Sequence, residues 1–327
     1  MASPTTAINR FELGATFTEF DLRMNAEGFI GNRVLRAREV GKNSGDFGKV
    51  PLKQLLQSRD TRRAPGATYA RDTFEFEKAS FSVIEYGKEE PLDDAQLAMY
   101  GDIVDAETIA ADRAMEAVLN QYERDVAAAV YNPAVWTGAS LTTAIVNEWD
   151  DFANATPVND VMAAVNAVEN ASGLEPNALV INKFQFRNLL QCNQIVDRIK
   201  YTQTPTVGQL RNALADLLGL EYILVAGGMK NTANEGQAAA LSRIWSNEYA
   251  MVCRVATSDD PQEPCIGRTF VWTGDGPAAP GDSGTLAVIM EEYREEKVRG
   301  SVYRARNNRD LVILYAQAGH LLSNITT

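Results

Sequence analysis

The sequence is poor in the side chains on which most enzyme and metal sites depend. It has a single histidine, His320, and only three cysteines in 327 residues. The cysteines (Cys192, Cys253 and Cys265) are far apart and odd in number, and no CxxC pair occurs. These absences exclude a disulfide framework and the usual zinc sites, and we expect the chain to reside in a reducing compartment.

The sequence also lacks long apolar runs. No stretch approaches the roughly 18 consecutive apolar residues of a membrane-spanning helix. Residues 1–5 show no charged stretch followed by an apolar one, so we expect no secretion signal and no membrane partner. The apolar and charged fractions, 45% and 23%, are ordinary for a globular protein. The length is sufficient for a large core and two domains.

Motifs for catalysis and nucleotide binding are incomplete. Ser283 stands in a glycine-rich run like the serine of trypsin-like proteases, but His320 follows it, whereas that family places its histidine before the serine. Residue 285 is Thr, which breaks the G-x-S-x-G pattern of hydrolases. None of the three Gly-Lys pairs is followed by Ser or Thr, so the phosphate-binding loop is absent. We predict no catalytic, cofactor-binding or metal-binding residues, no cofactor, and no enzymatic activity.

What the sequence does have is an uneven distribution of charge. The chain carries 43 acidic and 31 basic residues, for a net charge of −12. Residues 33–71 contain three acids and ten bases, which makes this segment +7 and the remainder −19. The ten bases are Arg33, Arg36, Arg38, Lys42, Lys49, Lys53, Arg59, Arg62, Arg63 and Arg71.

This basic segment has few apolar residues with which to bury itself and is interrupted by glycine and proline. A basic arm on an acidic body is typical of a segment that lies on an acidic partner, such as nucleic acid, a membrane or another copy of the chain. Two aromatic residues, Phe47 and Tyr69, are too few for a base-stacking platform. A net charge of −12 also argues against a protein that grips phosphates.

Periodicity predicts a long two-stranded excursion over residues 45–86. Residues 73–77 alternate strictly between apolar and polar side chains, and 81–85 do so in part, which indicates strands. The run at 62–66 contains Pro65 and Gly66 and is predicted to form the tip.

A very long helix is predicted after the excursion. Pro91 suits the first turn of a helix, Gly101 interrupts it, and helical spacing continues from 102 to 130, about 43 Å. Seven acids against two bases on this stretch make it either an acidic surface for the basic arm or a solvated polar face.

Alternating helices and strands over 134–285 predict a sheet covered by helices. Helix 157–172 is expected between a capping Thr156 and a terminating Gly173. Further strands are predicted at 178–182, 221–225, 243–245, 250–255 and 268–272, and beyond a loop at 273–284 also at 285–291, 298–304 and 310–315.

This order of elements, and the residues that fill it, resembles the major capsid proteins of tailed bacteriophages with the HK97-type fold. The likeness covers most of the chain through motifs that are degenerate when taken singly. They lie at 62–66 and 85–94 (extended loop and entry to the spine helix), 182–187 and 244–250 (axial domain), and 309–315 and 318–322 (peripheral strand and tail).

The resemblance implies an α+β HK97-like fold. It divides the chain into an N-terminal arm (1–44), an extended loop (45–86), a peripheral domain with the spine helix (87–133 and 286–327) and an axial domain (134–285). The extended loop is expected to lie on a neighbouring subunit. Its predicted intersubunit contacts are Lys49, Lys53, Arg59, Arg62, Arg63 and Arg71.

The implied function is a structural subunit of an icosahedral phage head in the virion, assembled in the host cytoplasm. Copies of the chain would form hexamers and pentamers around double-stranded DNA without sequence-specific contacts. Scaffolding, portal and decoration proteins are the further partners. Two alternatives stay open: an encapsulin-like nanocompartment shell that holds a cargo enzyme, and an α/β enzyme with an unrecognised site.

Overall fold

The computed structural model describes thirteen stretches of the chain, which form two large sheets and two short two-stranded sheets. One apolar core contains buried residues of both large sheets, such as Tyr303 and Met251, and the other lies on the opposite face of the second large sheet, around Leu179 and Val252. No helix in these stretches is both long enough and apolar enough to cross a membrane. The stretches are 8–9, 28–51, 56–58, 61–69, 71, 73, 75–100, 106–199, 207–234, 236–260, 262–274, 286–297 and 299–326.

The elements follow one another in a mixed order of strands and helices. The strands are β1 (Ile8–Asn9), β2 (Ala37–Val40), β3 (Ser44–Lys49), β4 (Glu77–Ser82), β5 (Ile84–Asp93), β6 (Thr142–Ala144), β7 (Ala178–Asn182), β8 (Tyr222–Ala226), β9 (Met229–Asn231), β10 (Leu241–Arg243), β11 (Ala250–Cys253), β12 (Gly267–Trp272), β13 (Ile289–Glu295), β14 (Gly300–Ile313) and β15 (Gly319–Ser323). The helices are α1 (Gly31–Val34), α2 (Asp94–Tyr100), α3 (Ala106–Val130), α4 (Pro157–Ser172), α5 (Lys183–Leu189), α6 (Asn193–Ile199) and α7 (Val207–Leu218), with a 3₁₀ turn at Ala316–Ala318.

The larger sheet is organised around β14. Its order is β1-β13-β14-β12-β2, and β5 also pairs with β14. The two strands predicted at 298–304 and 310–315 are in fact one strand of 14 residues. The polar run 307–309 lies within this strand and is buried. Arg309 donates to Asp125 on α3 at 2.7 Å and lies 4.0 Å from the ring of Tyr86.

The predicted role of Pro91 in starting a helix is wrong. Pro91 lies within β5, opposite Val302, and the helix begins three residues later at Asp94. In the described residues β5 pairs with β14 alone, and a strand with one open side tolerates a proline because the missing N–H is not needed there.

Helix α3 packs across the larger sheet. Its 25 residues span about 37 Å, and its end at Val130 agrees with the prediction. Residues 101–105, where the predicted helix begins, lie outside the described residues. The apolar stripe of α3 faces β14 and β5, and the hydroxyl of Tyr122 hydrogen-bonds to the hydroxyl of Thr269 on β12 at 3.0 Å. The helix therefore braces the sheet from which the extended hairpin leaves.

The second sheet has the order β6-β15-β11-β7-β8 and carries the helices of the predicted α/β region. The strand predicted at 178–182 is confirmed as β7 and is wholly buried. Gly173 ends α4 in the left-handed conformation, as predicted. Thr156 precedes α4, but its side chain makes no cap; instead the backbone N–H of Val158 donates to Gln194 on α6 at 3.0 Å.

Two strands cross the predicted domain division, which itself stays a prediction. β12, within 134–285, pairs with β14 in the larger sheet. β15, within 286–327, lies between β6 and β11 in the second sheet. The chain therefore passes from the larger sheet into the second one between β14 and β15.

Candidate subunit interface

The extended loop begins as a regular hairpin whose base is anchored to the body. β3 and β4 pair antiparallel, from Ser44 opposite Ser82 to Lys49 opposite Glu77. Pairing confirms the two-stranded form of the excursion, although its second strand begins at residue 77 rather than at 73. Phe81 packs its ring on Phe270 of β12, with centroids 5.0 Å apart.

The tip of the hairpin is a formed turn on an exposed segment. All of residues 61–69 are exposed. The N–H of Ala67 donates to the carbonyl of Ala64 at 3.1 Å, and Gly66 has a φ of 84°. Proline at the second position and a positive φ at the third are typical of a type II turn, which requires glycine there. The predicted tip at 62–66 thus coincides with an observed turn.

Arg63 is held against this turn. Its Nε donates to the carbonyl of Ala67 at 2.6 Å, and its guanidinium lies 4.6 Å from the centre of the Tyr69 ring. Stacking on an aromatic ring restricts the side chain and leaves the rest of the guanidinium fork directed outward. The tip therefore presents positive charge from a pre-formed structure.

The remaining predicted contact residues occupy different surroundings. Arg62 and Arg71 are exposed on the distal part of the loop. Lys53 and Arg59 lie outside the described residues. Lys49, by contrast, lies at the base, 4.5 Å from the ring of Tyr315 and 3.9 Å from a carboxylate oxygen of Glu77.

The first part of the basic segment belongs to the body rather than to the loop. Arg38 lies in β2, and Arg36 pairs with Asp259 at 2.7 Å. Burial lowers the pKa of Arg38, and the positive charge of Arg268 lowers it further. The basic segment is therefore divided: Arg36 and Arg38 belong to the body, whereas Arg62, Arg63 and Arg71 are exposed on the loop.

Asp259 belongs to a loop that is organised around Glu263. Thr257 and Ser258 each donate a backbone N–H and a hydroxyl to the Glu263 carboxylate at 2.8–2.9 Å. Burial alone raises the pKa of Glu263, but these four hydrogen bonds outweigh it and hold the pKa at about 2. The loop also braces Arg268, whose Nη1 donates to the carbonyl of Ser258 at 3.0 Å.

We expect Glu263 to make the fold sensitive to acid. The pKa of Glu263 in the folded chain lies below its usual value of 4.5. Its stabilising effect is therefore complete above pH 4.5 and is lost as the pH falls toward about 2. Denaturant titrations should show that Glu263→Gln lowers the free energy of unfolding by roughly 2–3 kcal/mol at pH 7 and much less near pH 2. Glu169→Gln, at an exposed position, is the control and should leave the free energy of unfolding unchanged at both pH values. A Glu263→Gln effect that does not depend on pH would contradict this role of Glu263.

The acidic face predicted for α3 is smaller than its sequence indicates. Glu123 is only 1% exposed and accepts hydrogen bonds from the N–H groups of Ile30 and Gly31, at 3.0 and 2.8 Å, and from Trp245 Nε1 at 2.6 Å. Burial raises its pKa, although the three hydrogen bonds oppose this shift. Asp125 is paired with Arg309. Neither carboxylate is available to the basic arm of a neighbour.

The side chains considered for chemistry have structural roles in the described residues. His320 is buried in β15, with its ring nitrogens 3.1 Å from the Ser140 carbonyl oxygen and 2.9 Å from Thr143 Oγ1. Burial raises the pKa of Cys253 to about 12, so its thiol is a poor nucleophile. Ser283 lies outside the described residues, and no group of three or more possible metal ligands occurs within them.

The aromatic anchor of the hairpin was not predicted from the sequence. Phe47 and Phe81 lie on the same face of the β3–β4 ribbon, and both contact Phe270. In the ribbon, Phe47 and Phe81 fall at the inward positions of the two strands, where burial alternates. Their shared partner Phe270 could not be inferred, because it lies 189 residues after Phe81 and 223 residues after Phe47.

Removing a ring from this anchor should loosen the base of the hairpin. Phe81→Ala deletes the ring contacts with Phe270 and Phe47, whose centroids lie 5.0 and 6.4 Å from that of Phe81. We expect the free energy of unfolding to fall by about 1 kcal/mol. Amide hydrogen exchange in β3 and β4 should then be severalfold faster than in the wild type. Phe76→Ala is the matched control, because Phe76 is 67% exposed; equal exchange in both variants would exclude the anchoring role.

Comparison with known proteins places this fold among phage capsids. No family model matches the chain. The solved structure of a phage-related protein from Bordetella bronchiseptica RB50 superposes with a TM-score of 0.72 at 17% identity, covering 98% of both chains. The capsid of cyanophage P-SCSP1u gives a TM-score of 0.58 at 12% identity and covers 99% of this chain and 90% of that one.

A curated relative agrees with this placement. The major capsid protein of Burkholderia phage BcepMu is 25% identical over 311 residues, which is 92% of each chain. The predicted α+β, HK97-like fold and the resemblance to phage major capsid proteins are therefore confirmed. The comparisons also support the predicted structural class, a capsid subunit rather than an enzyme.

Proposed function

We propose that this chain is the subunit of an icosahedral phage head and assembles into hexamers and pentamers that enclose double-stranded DNA. The observation that carries the proposal is the hairpin on a capsid fold, with residues 61–69 fully exposed around a formed turn. An isolated two-stranded ribbon is marginally stable, so an exposed tip at residues 61–69 fits a loop that packs on a neighbour. Such contacts, repeated from copy to copy, generate rings and closed shells.

The charge of the chain suits a container for DNA rather than a DNA-gripping protein. With 43 acids and 31 bases, the chain as a whole does not favour phosphate binding. DNA is then enclosed without sequence-specific contacts and is packaged by other machinery. Scaffolding, portal and decoration proteins are the remaining partners in this proposal, with assembly in the host cytoplasm before the protein becomes part of the virion.

Electron microscopy of the expressed protein tests the proposal directly. We expect closed shells or ring-shaped capsomers, with a scaffolding protein supplied if the chain does not assemble alone. A protein that stays monomeric at high concentration, with and without scaffold, would contradict the proposal.

The alternative of an encapsulin-like shell predicts particles of the same type with different contents. The comparisons give this alternative no better support than the phage head. Purified particles should contain DNA, or be empty, if the chain forms a head, and should contain a cargo enzyme if it forms a nanocompartment. The neighbouring genes discriminate in the same way: terminase and portal genes against a peroxidase or ferritin-like cargo gene.

A further inference from the structure

A groove of about 230 Å³ lies between the end of α3 and the residues around β9 and β11. Arg124, Ala127, Ala128 and Tyr131 line it from the helix. Their spacing of three or four residues places them on a single helical face. Lys230 of β9 lines it as well, so the groove has small apolar residues, an aromatic ring and two cations.

The aromatic part of the groove is held in place by buried contacts. The hydroxyl of Tyr131 donates to the carbonyl of Val180 at 3.0 Å. The rings of Tyr131 and Tyr249 lie 6.0 Å apart, and Gln185 Nε2 donates to the carbonyl of Tyr249 at 2.8 Å. Gln185 itself is fully buried. The walls are therefore formed before any partner arrives, which reduces the entropy that binding must overcome.

Within the part of the chain that the structure describes, the two cations in the groove face no carboxylate. Among the described residues neither Arg124 nor Lys230 has an ion pair, and Arg124 donates to the side-chain amide oxygen of Gln121. On a chain with a net charge of −12, this combination of cations and aromatic walls favours an anionic ligand that carries an apolar part.

We propose that this groove receives an acidic segment of a second copy of the chain, with an Asp or Glu carboxylate between Arg124 and Lys230. The inference rests on the proposed function, since a shell brings copies into repeated contact. Two bodies of charge −12 repel each other, so local contacts of opposite charge decide how they can approach. Nucleic acid fits less well, because phosphate binding gains affinity from many cations and the groove offers two.

Isotope-resolved cross-linking tests the contact itself. Shells assembled from a mixture of ¹⁴N- and ¹⁵N-labelled chains are treated with a carbodiimide, which joins a lysine amine directly to a carboxylate. We expect peptides that join Lys230 of one label to an Asp or Glu of the other label, and their loss when the shells are dissociated before treatment. Shells without such mixed-label peptides overturn the proposal.

Charge reversal tests whether the contact matters for assembly. Arg124→Glu with Lys230→Glu should raise the protein concentration needed for assembly at least tenfold while leaving the melting temperature unchanged. The matched control is Arg187→Glu with Lys297→Glu, two exposed cations elsewhere with the same change of charge. A groove variant that assembles like this control overturns the inference and leaves the proposed function intact. Failure of the wild type and the control to form shells overturns the proposed function, and the inference with it.

A DNA-binding measurement separates the remaining explanation. A short double-stranded DNA should bind the wild type and the groove variant equally weakly at physiological salt. Binding by the wild type that is lost in the groove variant would assign the groove to nucleic acid and overturn the proposal.

Discussion

Replacing Arg62 and Arg63 with glutamate should abolish or strongly impair shell formation while leaving the melting of the isolated subunit nearly unchanged. Both residues lie in the exposed tip of the hairpin, far along the chain from the aromatic anchor at its base. One exposed ion pair contributes only about 0–1 kcal/mol. A closed shell repeats the contact in every subunit, however, so a small loss per contact becomes a large loss for the particle.

The measurement pairs electron microscopy of assembly with thermal melting of the unassembled chain. Arg187→Glu with Lys297→Glu, which makes the same change of charge on the body, should assemble normally. If assembly and melting temperature decline together, the tip packs on its own subunit, and its role as a strap between subunits is wrong.

The largest effect on stability is expected at Glu123. Its carboxylate joins three parts of the chain, since the N–H groups of Ile30 and Gly31 and the indole of Trp245 all donate to it on α3. Glu123→Ala leaves all three buried donors without their acceptor, and each such donor costs about 1–3 kcal/mol. We therefore expect the free energy of unfolding to fall by roughly 3–5 kcal/mol.

Denaturant unfolding of the subunit measures this loss. Glu116→Ala, at an exposed position of the same helix, serves as the control and should change stability by less than about 0.5 kcal/mol. Faster hydrogen exchange around Ile30 and Trp245 should accompany the loss in Glu123→Ala. A small effect in both variants would mean that water satisfies these donors in Glu123→Ala. The Glu123 carboxylate would then contribute little to the stability of the subunit.

Features with a local cause were predictable from the sequence. The end of α3 at Val130, the buried strand β7 and the turn around Gly66 follow from apolar periodicity and from the special backbone angles of proline and glycine. The hairpin was predicted for the same reason, because the alternation of side chains is visible within a few residues.

Features that depend on distant partners were not predictable. Glu123 was counted with the surface acids, since its three donors lie more than 90 residues away. The continuity of β14 through the polar residues 307–309 was also not predictable, because Arg309 is satisfied there by Asp125 and Tyr86, which are far away in the sequence. For the candidate interface, the tip and its arginines were predicted from the sequence.

That Arg36 and Lys49 lie apart from the tip could not be predicted, because their partners Asp259 and Tyr315 are far away in the sequence.

The position of β15 has a consequence for biosynthesis. β15 is the second strand of its sheet, between β6 and β11, although it is synthesised after every other strand of both sheets. A ribosome that has reached residue 318 has therefore made a sheet with a gap, into which His320 and Leu321 have yet to be inserted. At roughly 5–20 residues per second, about 4–14 seconds of synthesis separate the end of β11 from the end of β15. Fragments from interrupted translation would lack β15 and therefore a complete second sheet. An incomplete sheet would keep such fragments out of an assembly.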